Sequence, residues 1–352
     1  MRREKRDHAF RSAVLAAIGS LGLLVVPGPA RGEAPDADRR EVREAVSRGL
    51  DLVQSAAENY PNHRACFSCH HQTLPMLAMV SARARGMAVE DDLLEEQAEF
   101  TRESFRDRVA DLEAGQKIGG GTMTVGYGLW ALELAGSEPD EVTGAMVAYL
   151  LKTQRPEGHW TTQGRRPPLE ESTVTSTVLA ASGMRTFAAP GQREAVDRAV
   201  AKAVSWLEHA PEKCQEDRNF RLWGLHKLGA TREAVLKARE AVLAARRDDG
   251  GWSQRTDMAS DAYATGQTLA LLAASGLPLA DPSARRGVAL LLKTQHADGS
   301  WKVETRTRPV QVYFDNGDPH GKHQFISTPA SCWAVAALAA ASGPYPSTTG
   351  SR

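Results

Sequence analysis

The chain has 352 residues, 43 basic and 43 acidic side chains, and 42% hydrophobic content. No basic excess is present to track a nucleic-acid backbone, so that class of partner is excluded. The length fits one large domain or two ordinary ones, with enough apolar residues for a sizeable core.

The chain opens on an export signature. Arg2, Arg3, Lys5, Arg6 and Arg11 form a basic segment, and the 14 residues Ala13 to Val26 carry no charge. A bilayer span needs about 20 apolar residues, so this run predicts a signal peptide over 1–32, ending at the small residues around Ala30 and Gly32. Its removal leaves 37 basic and 41 acidic residues, a net charge of −4. The expected location is periplasmic or secreted, with no membrane span in the mature chain and a disordered tail at 344–352.

Six pairs of helices follow. Charged, amphipathic segments fall near 40–57, 89–113, 140–154, 193–209, 231–247 and 282–295. Each precedes a segment rich in Ala, Leu and Gly: Gln72–Gly86, Thr122–Gly136, Ser172–Gly183, Asn219–Gly229, Asp261–Gly276 and Thr328–Gly343. Segments that are apolar all round must be buried, so the second set predicts an inner ring and the first an outer, water-facing one. Each second-set segment ends at Gly, the residue that closes a helix most easily in the left-handed conformation. One helix pair cannot bury its own apolar face, so the pairs must stack on each other, and six pairs can close into a ring spanning 33–343.

A repeated turn links the pairs. Residues 147–160 (VAYLLKTQRPEGHW) recur at 288–301 (VALLLKTQHADGSW), and a third copy ends at Gly250-Gly251-Trp252. Each copy is a helix, a polar turn with Gly, then an aromatic ring. Gln154 to Trp160 and Gln295 to Trp301 resemble the Gln-Trp repeats of the squalene-hopene and oxidosqualene cyclases, and the repeat is also similar to that of protein prenyltransferase β-subunits. The resemblance covers essentially the whole mature chain and implies an all-α, (α/α)6 toroid. It implies an apolar small-molecule ligand as well. The acid motif Asp-x-Asp-Asp of those cyclases is missing; the nearest match is Asp257 to Asp261, at the mouth of the fifth inner helix. The chain is about half the length of the two-domain cyclases. No zinc set of the prenyltransferase kind can be picked out around Cys332.

One motif lies outside the resemblance. Cys66-Phe67-Ser68-Cys69-His70 has the spacing of covalent haem attachment: two thiols three apart can add to the two vinyl groups of a porphyrin, and the next imidazole lies under the iron. Export agrees with that chemistry, so haem c is the expected cofactor. Zinc on Cys66, Cys69, His70 and His71, a Cys66–Cys69 disulfide, or plain thiols are the alternatives. Cys214 and Cys332 are a further possible pair. Candidates for a second axial ligand are Met123, Met76, and His320 and His323 in the last loop. That loop, 302–327, breaks the repeat, and Val303 to Val312 within it is read as a short strand or extended arm across one mouth of the ring. Arg306 and Arg308 in it are candidates for a haem propionate or an acidic substrate.

Further candidates to line a cavity or carry chemistry are Asp261, Tyr263, Gln267, Tyr313, Asp315 and Gln324. Asp261 also has the identity and place of a helix N-cap. The expected function is an exported haem c protein in electron transfer or redox or ligand sensing, with a periplasmic redox partner. The alternatives are an apolar-ligand cyclase or binding protein, and a polysaccharide-acting toroid. The last needs two opposed carboxylates, with Glu170, Glu171, Asp261 and Asp315 available.

Overall fold

A computed structural model describes residues 36–164, 166–308 and 312–343. The expected signal peptide and C-terminal tail lie outside these. Thirteen α-helices are found and no strand, among the described residues. The outer helices are α1 (Asp36–Asn59), α3 (Asp91–Arg106), α6 (Glu141–Thr153), α8 (Arg193–His209), α10 (Arg232–Ala244) and α12 (Pro282–Thr294). The inner helices are α2 (Leu74–Arg83), α5 (Gly121–Leu134), α7 (Thr173–Phe187), α9 (Gln215–Lys227), α11 (Ala262–Ala274) and α13 (Gln324–Ala341). The thirteenth, α4 (Val109–Ala114), is a short piece that continues the second outer segment after a break. Each inner helix packs on the next, and α13 packs on α2 and α1, so the ring is closed.

The repeated turn explains how the ring is stapled. In all three copies the Trp is fully buried. Its indole Nε1 donates to a carbonyl ten residues back: Trp160 to Leu150, Trp252 to Val242 and Trp301 to Leu291, at 2.8–2.9 Å. Its backbone N–H donates to a hydroxyl on the following inner helix, from Thr177, Thr265 or Ser331. The residue six before the Trp then reaches the next outer helix. Gln154 donates to the Ala199 carbonyl on α8 at 2.8 Å. Arg246 takes the same place in the copy without Gln and donates to the Ser283 carbonyl on α12 at 2.6 Å. Gln295 donates to the Ala45 carbonyl on α1 at 2.8 Å, so the last turn staples the end of the ring to its beginning. Gly299 in that turn has φ +87°, and a Cβ on it would lie 2.3 Å from the Arg48 carbonyl oxygen, so only glycine lets the two backbones meet.

Three sequence expectations shift. The fourth inner helix starts at Gln215, four residues before Asn219. The third inner helix runs through Gly183 to Phe187. A Cβ on Gly183 would meet Leu129 at 2.7 Å, so this glycine is a close-packing site between α5 and α7 and not a helix stop. The sixth inner helix starts at Gln324, four residues before Thr328 and with Pro329 inside it. It is also the one described segment long and apolar enough to cross a membrane, but 83% of that apolar window is buried in the ring.

The inner helices are parallel, so their N-terminal ends share one mouth. Deeper in the lumen, Trp130 of α5, Phe220 and Trp223 of α9 and Trp333 of α13 pack together, with Trp130 and Trp223 5.0 Å apart. These side chains come from alternate members of the ring, so their contact closes its centre.

Candidate functional site at the N-terminal mouth

The Cys66–His70 segment enters the ring where other pairs have their Gly-Trp turn. A single π-turn, Cys69–Thr73, precedes α2 and swings consecutive side chains to different neighbours. Cys69 and His70 face a cavity of about 50 Å³ at the mouth, together with Phe67, Met123, Tyr127 and Arg166. Glu170 completes one wall. Cys66 stays exposed, with its Sγ 3.7 Å from the Tyr60 hydroxyl. All four cysteines are free thiols, so neither the Cys66–Cys69 nor the Cys214–Cys332 pairing is formed.

Electrostatics fix the state of these groups. Burial, with help from Arg166, pushes the His70 imidazole down to about 3, so it is neutral. Burial pushes the Cys69 thiol far up, and Glu170 adds to this, so it is no thiolate. His71 points the other way. Its ring stacks on Tyr60 at 4.4 Å. Asn316 Nδ2 lies 2.8 Å from His71 Nε2, which therefore accepts, and Nδ1–H faces Ser68 Oγ at 3.2 Å. With His71 committed there, the four-ligand zinc set is not gathered. Among the described residues no three His, Cys, Asp or Glu side chains converge as metal ligands.

The described parts of the last loop, 302–308 and 312–323, form an arm at this mouth without strand pairing. Asn316 ties it to the first pair, and Thr307 Oγ1 donates to the Pro167 carbonyl at 3.1 Å. Arg306 Nε donates to Gln254 Oε1 at 3.0 Å and does not face the cavity; Arg308 is exposed.

Behind the cavity lies a buried acid that sequence reasoning missed. Glu216 Oε2 on α9 accepts from Tyr263 Oη and from Gln267 Nε2, both at 2.9 Å. Desolvation pushes its carboxyl up to about 8, against the lowering effect of those bonds, so it carries a proton at neutral pH. Tyr127 stands between the two layers: it lines the cavity, and its phenol is pushed up by burial first and by Glu216 next. The available signal was a run of polar residues, Gln215 to Asn219, at the head of an inner helix.

Several sequence candidates fall elsewhere. Asp261 caps α11, accepting from the Ala264 N–H at 2.8 Å and from Gln254 Nε2 at 3.0 Å, and its carboxyl is pushed up to about 6 by burial. Tyr263 and Gln267 serve Glu216. His320 Nε2 pairs with Ser300 Oγ at 2.8 Å, and His323 Nδ1 accepts from the Thr305 N–H at 3.1 Å, so both act as arm anchors. Met76 is fully buried in the packing of the first inner helix. Of the four distal candidates only Met123 lines the cavity. Tyr313 is half exposed, Asp315 folds back on the Gly317 N–H, and Gln324 holds the arm through the Asn316 N–H. Of the four carboxylates considered for sugar chemistry only Glu170 lines the cavity, and it is bound to Arg166.

The donor chemistry at the mouth suits a haem: a neutral imidazole, a thioether, two nearby thiols and a guanidinium. The enclosed space does not hold a porphyrin, because ligand pockets of that class measure roughly 300–1,000 Å³.

No protein-family model matches the sequence, and no curated protein does. Solved structures match the fold. One is the type II terpene cyclase MstE from Scytonema with its product merosterolic acid A, at 13% identity and TM-score 0.57, covering 88% of this chain and 99% of that one. A form of the same cyclase holds the substrate geranylgeranyl dihydroxybenzoate, at 12% identity and TM-score 0.55, covering 88% and 100%. A glycosidase matches at 13% identity and TM-score 0.59, covering 89% and 100%. At these identities the likeness establishes the fold alone: this chain is an all-helical toroid of the kind shared by terpene cyclases and glycosidases.

Proposed function

We propose that this protein binds a small molecule with an apolar body at the N-terminal mouth of the ring. The observation that carries this reading is the mouth cavity itself, where a thiol, an imidazole, a phenol and an arginine–glutamate pair converge while aromatic rings close the centre. The similar cyclase structures, one with a terpenoid substrate and one with its product, support an apolar occupant. The enclosed volume takes only one end of such a molecule, so the body extends out of the mouth past the described parts of the arm, 302–308 and 312–323. Glu170 is the carboxyl in the cavity wall, and Glu216 sits behind Tyr127, bonded to Tyr263. The test is hydrogen exchange with and without farnesol. Protection is expected at 66–73 and 312–323; unchanged exchange in both segments sinks the reading.

A second reading is favoured by one observation: His70 and Met123 line the same cavity, beside Cys69. These side chains would hold a covalent haem only with the mouth opened, since the cavity of about 50 Å³ does not enclose a porphyrin. On this reading the protein is exported, Cys66 and Cys69 hold the porphyrin, and the haem supplies redox or ligand-sensing chemistry, with a periplasmic redox partner in the first case. Protein matured in a periplasm with the haem-attachment machinery should show a Soret band that survives acid-acetone extraction. Absence of that band overturns this second reading and leaves the first intact.

A further inference from the structure

Arg166 is the least satisfied charged group facing the cavity. It sits on the loop between α6 and α7, and the arm is bonded to that loop through Thr307 and the Pro167 carbonyl. Its Nε donates to Glu170 Oε2 at 2.8 Å and its Nη2 lies 2.6 Å from Glu170 Oε1. Those contacts occupy one edge of the planar guanidinium. A guanidinium has a second edge of the same kind, and each edge matches a carboxylate with two parallel N–H···O bonds. Among the described residues none bonds to Nη1 on that second edge, and Arg166 is itself a wall of the cavity.

Three neighbours make the free edge usable. Glu170 is buried and fixes the plane of the guanidinium, so little freedom is lost when a second partner binds. Gly164 gives Glu170 its room: a Cβ there would stand 2.6 Å from Glu170 Oε2. Tyr127 and Thr124 border the same space. A volume of about 50 Å³ fits a carboxylate head and not the body behind it.

We infer that the mouth site recognises a carboxylate, bound end-on by the free edge of Arg166, at one end of an amphiphilic ligand. The inference rests on the small-molecule reading of this mouth. The carboxylate is that of a free organic acid.

Hexanoate and hexanamide are titrated by calorimetry into the full chain made without haem, as wild type, Arg166→Gln and Arg166→Lys. Exchange at residues 66–73 reports whether the mouth is occupied. Hexanoate binding that falls about tenfold or more in Arg166→Gln and recovers in Arg166→Lys, with hexanamide weak throughout, supports the inference. Equal binding of hexanoate and hexanamide at the mouth, indifferent to Arg166→Gln, overturns the carboxylate inference and keeps the mouth as a ligand site. If neither probe binds the mouth, the inference is overturned; unchanged exchange with farnesol in addition removes the small-molecule reading beneath it.

Discussion

Glu216→Gln should stabilise the protein, and should do so only above acidic pH. The native carboxyl titrates near 8 and an unfolded one near 4.5, so between those values the native state holds a proton that the unfolded state has lost. Stability therefore falls as pH rises through this window, by about 1.4 kcal/mol per unit from this group. From pH 5.5 to 7.5, two units wholly inside the window, the loss is about 3 kcal/mol. The amide cannot ionise, and its oxygen can accept the same bonds from Tyr263 and Gln267 that Glu216 Oε2 accepts now. Urea unfolding of wild type and variant, followed by tryptophan fluorescence at pH 5.5, 6.5 and 7.5, measures the difference. Asp261 and Asp318, whose carboxyls are both pushed up to about 6, contribute equally to both proteins and cancel. The variant's advantage should grow by about 3 kcal/mol across the series. Parallel stability curves would refute the view that Glu216 is held protonated inside the ring.

Gly299→Ala forces a side chain onto a φ of +87° and against the Arg48 carbonyl, so it should cost at least about 2 kcal/mol, seen as a lowered melting temperature. Gln295→Ala removes the bonds to Ala45 and Gly299 that close the ring, and a loss of about 1–3 kcal/mol in urea unfolding is expected; an unchanged midpoint would show that the staple contributes nothing. Asn316→Ala frees His71 Nε2 and loosens the arm, so exchange at 312–323 should speed up about tenfold while the core helices keep their protection.

How much was readable beforehand varied with the kind of interaction. The inner helices announce themselves because they are apolar all round, and five of them are followed by a left-handed Gly: Gly86, Gly136, Gly229, Gly276 and Gly343. Gly183 carries the same letter and does a different job, since its role depends on Leu129, 54 residues away. The Asp261 cap was legible because a cap bonds to its own first turn. Arg306 and Arg308 were the natural anion candidates in the arm, yet Arg306 is spent on Gln254, and Arg166 from another loop faces the cavity.

The sequence alone determined the number of helix pairs, their inner and outer faces and the repeated turn, because helical periodicity, glycine conformation and burial act over a few residues. It also placed Cys66, Cys69 and His70 at a turn between two helices. Only the tertiary structure decided that His70 shares a cavity with Met123, Tyr127 and Arg166, that His71 is turned away to Asn316, and that Glu216 sits protonated behind them. Those facts arise from ring closure, which brings the side chains of His71 and Asn316, 245 residues apart, into contact, and from the desolvation that closure imposes on the groups it encloses.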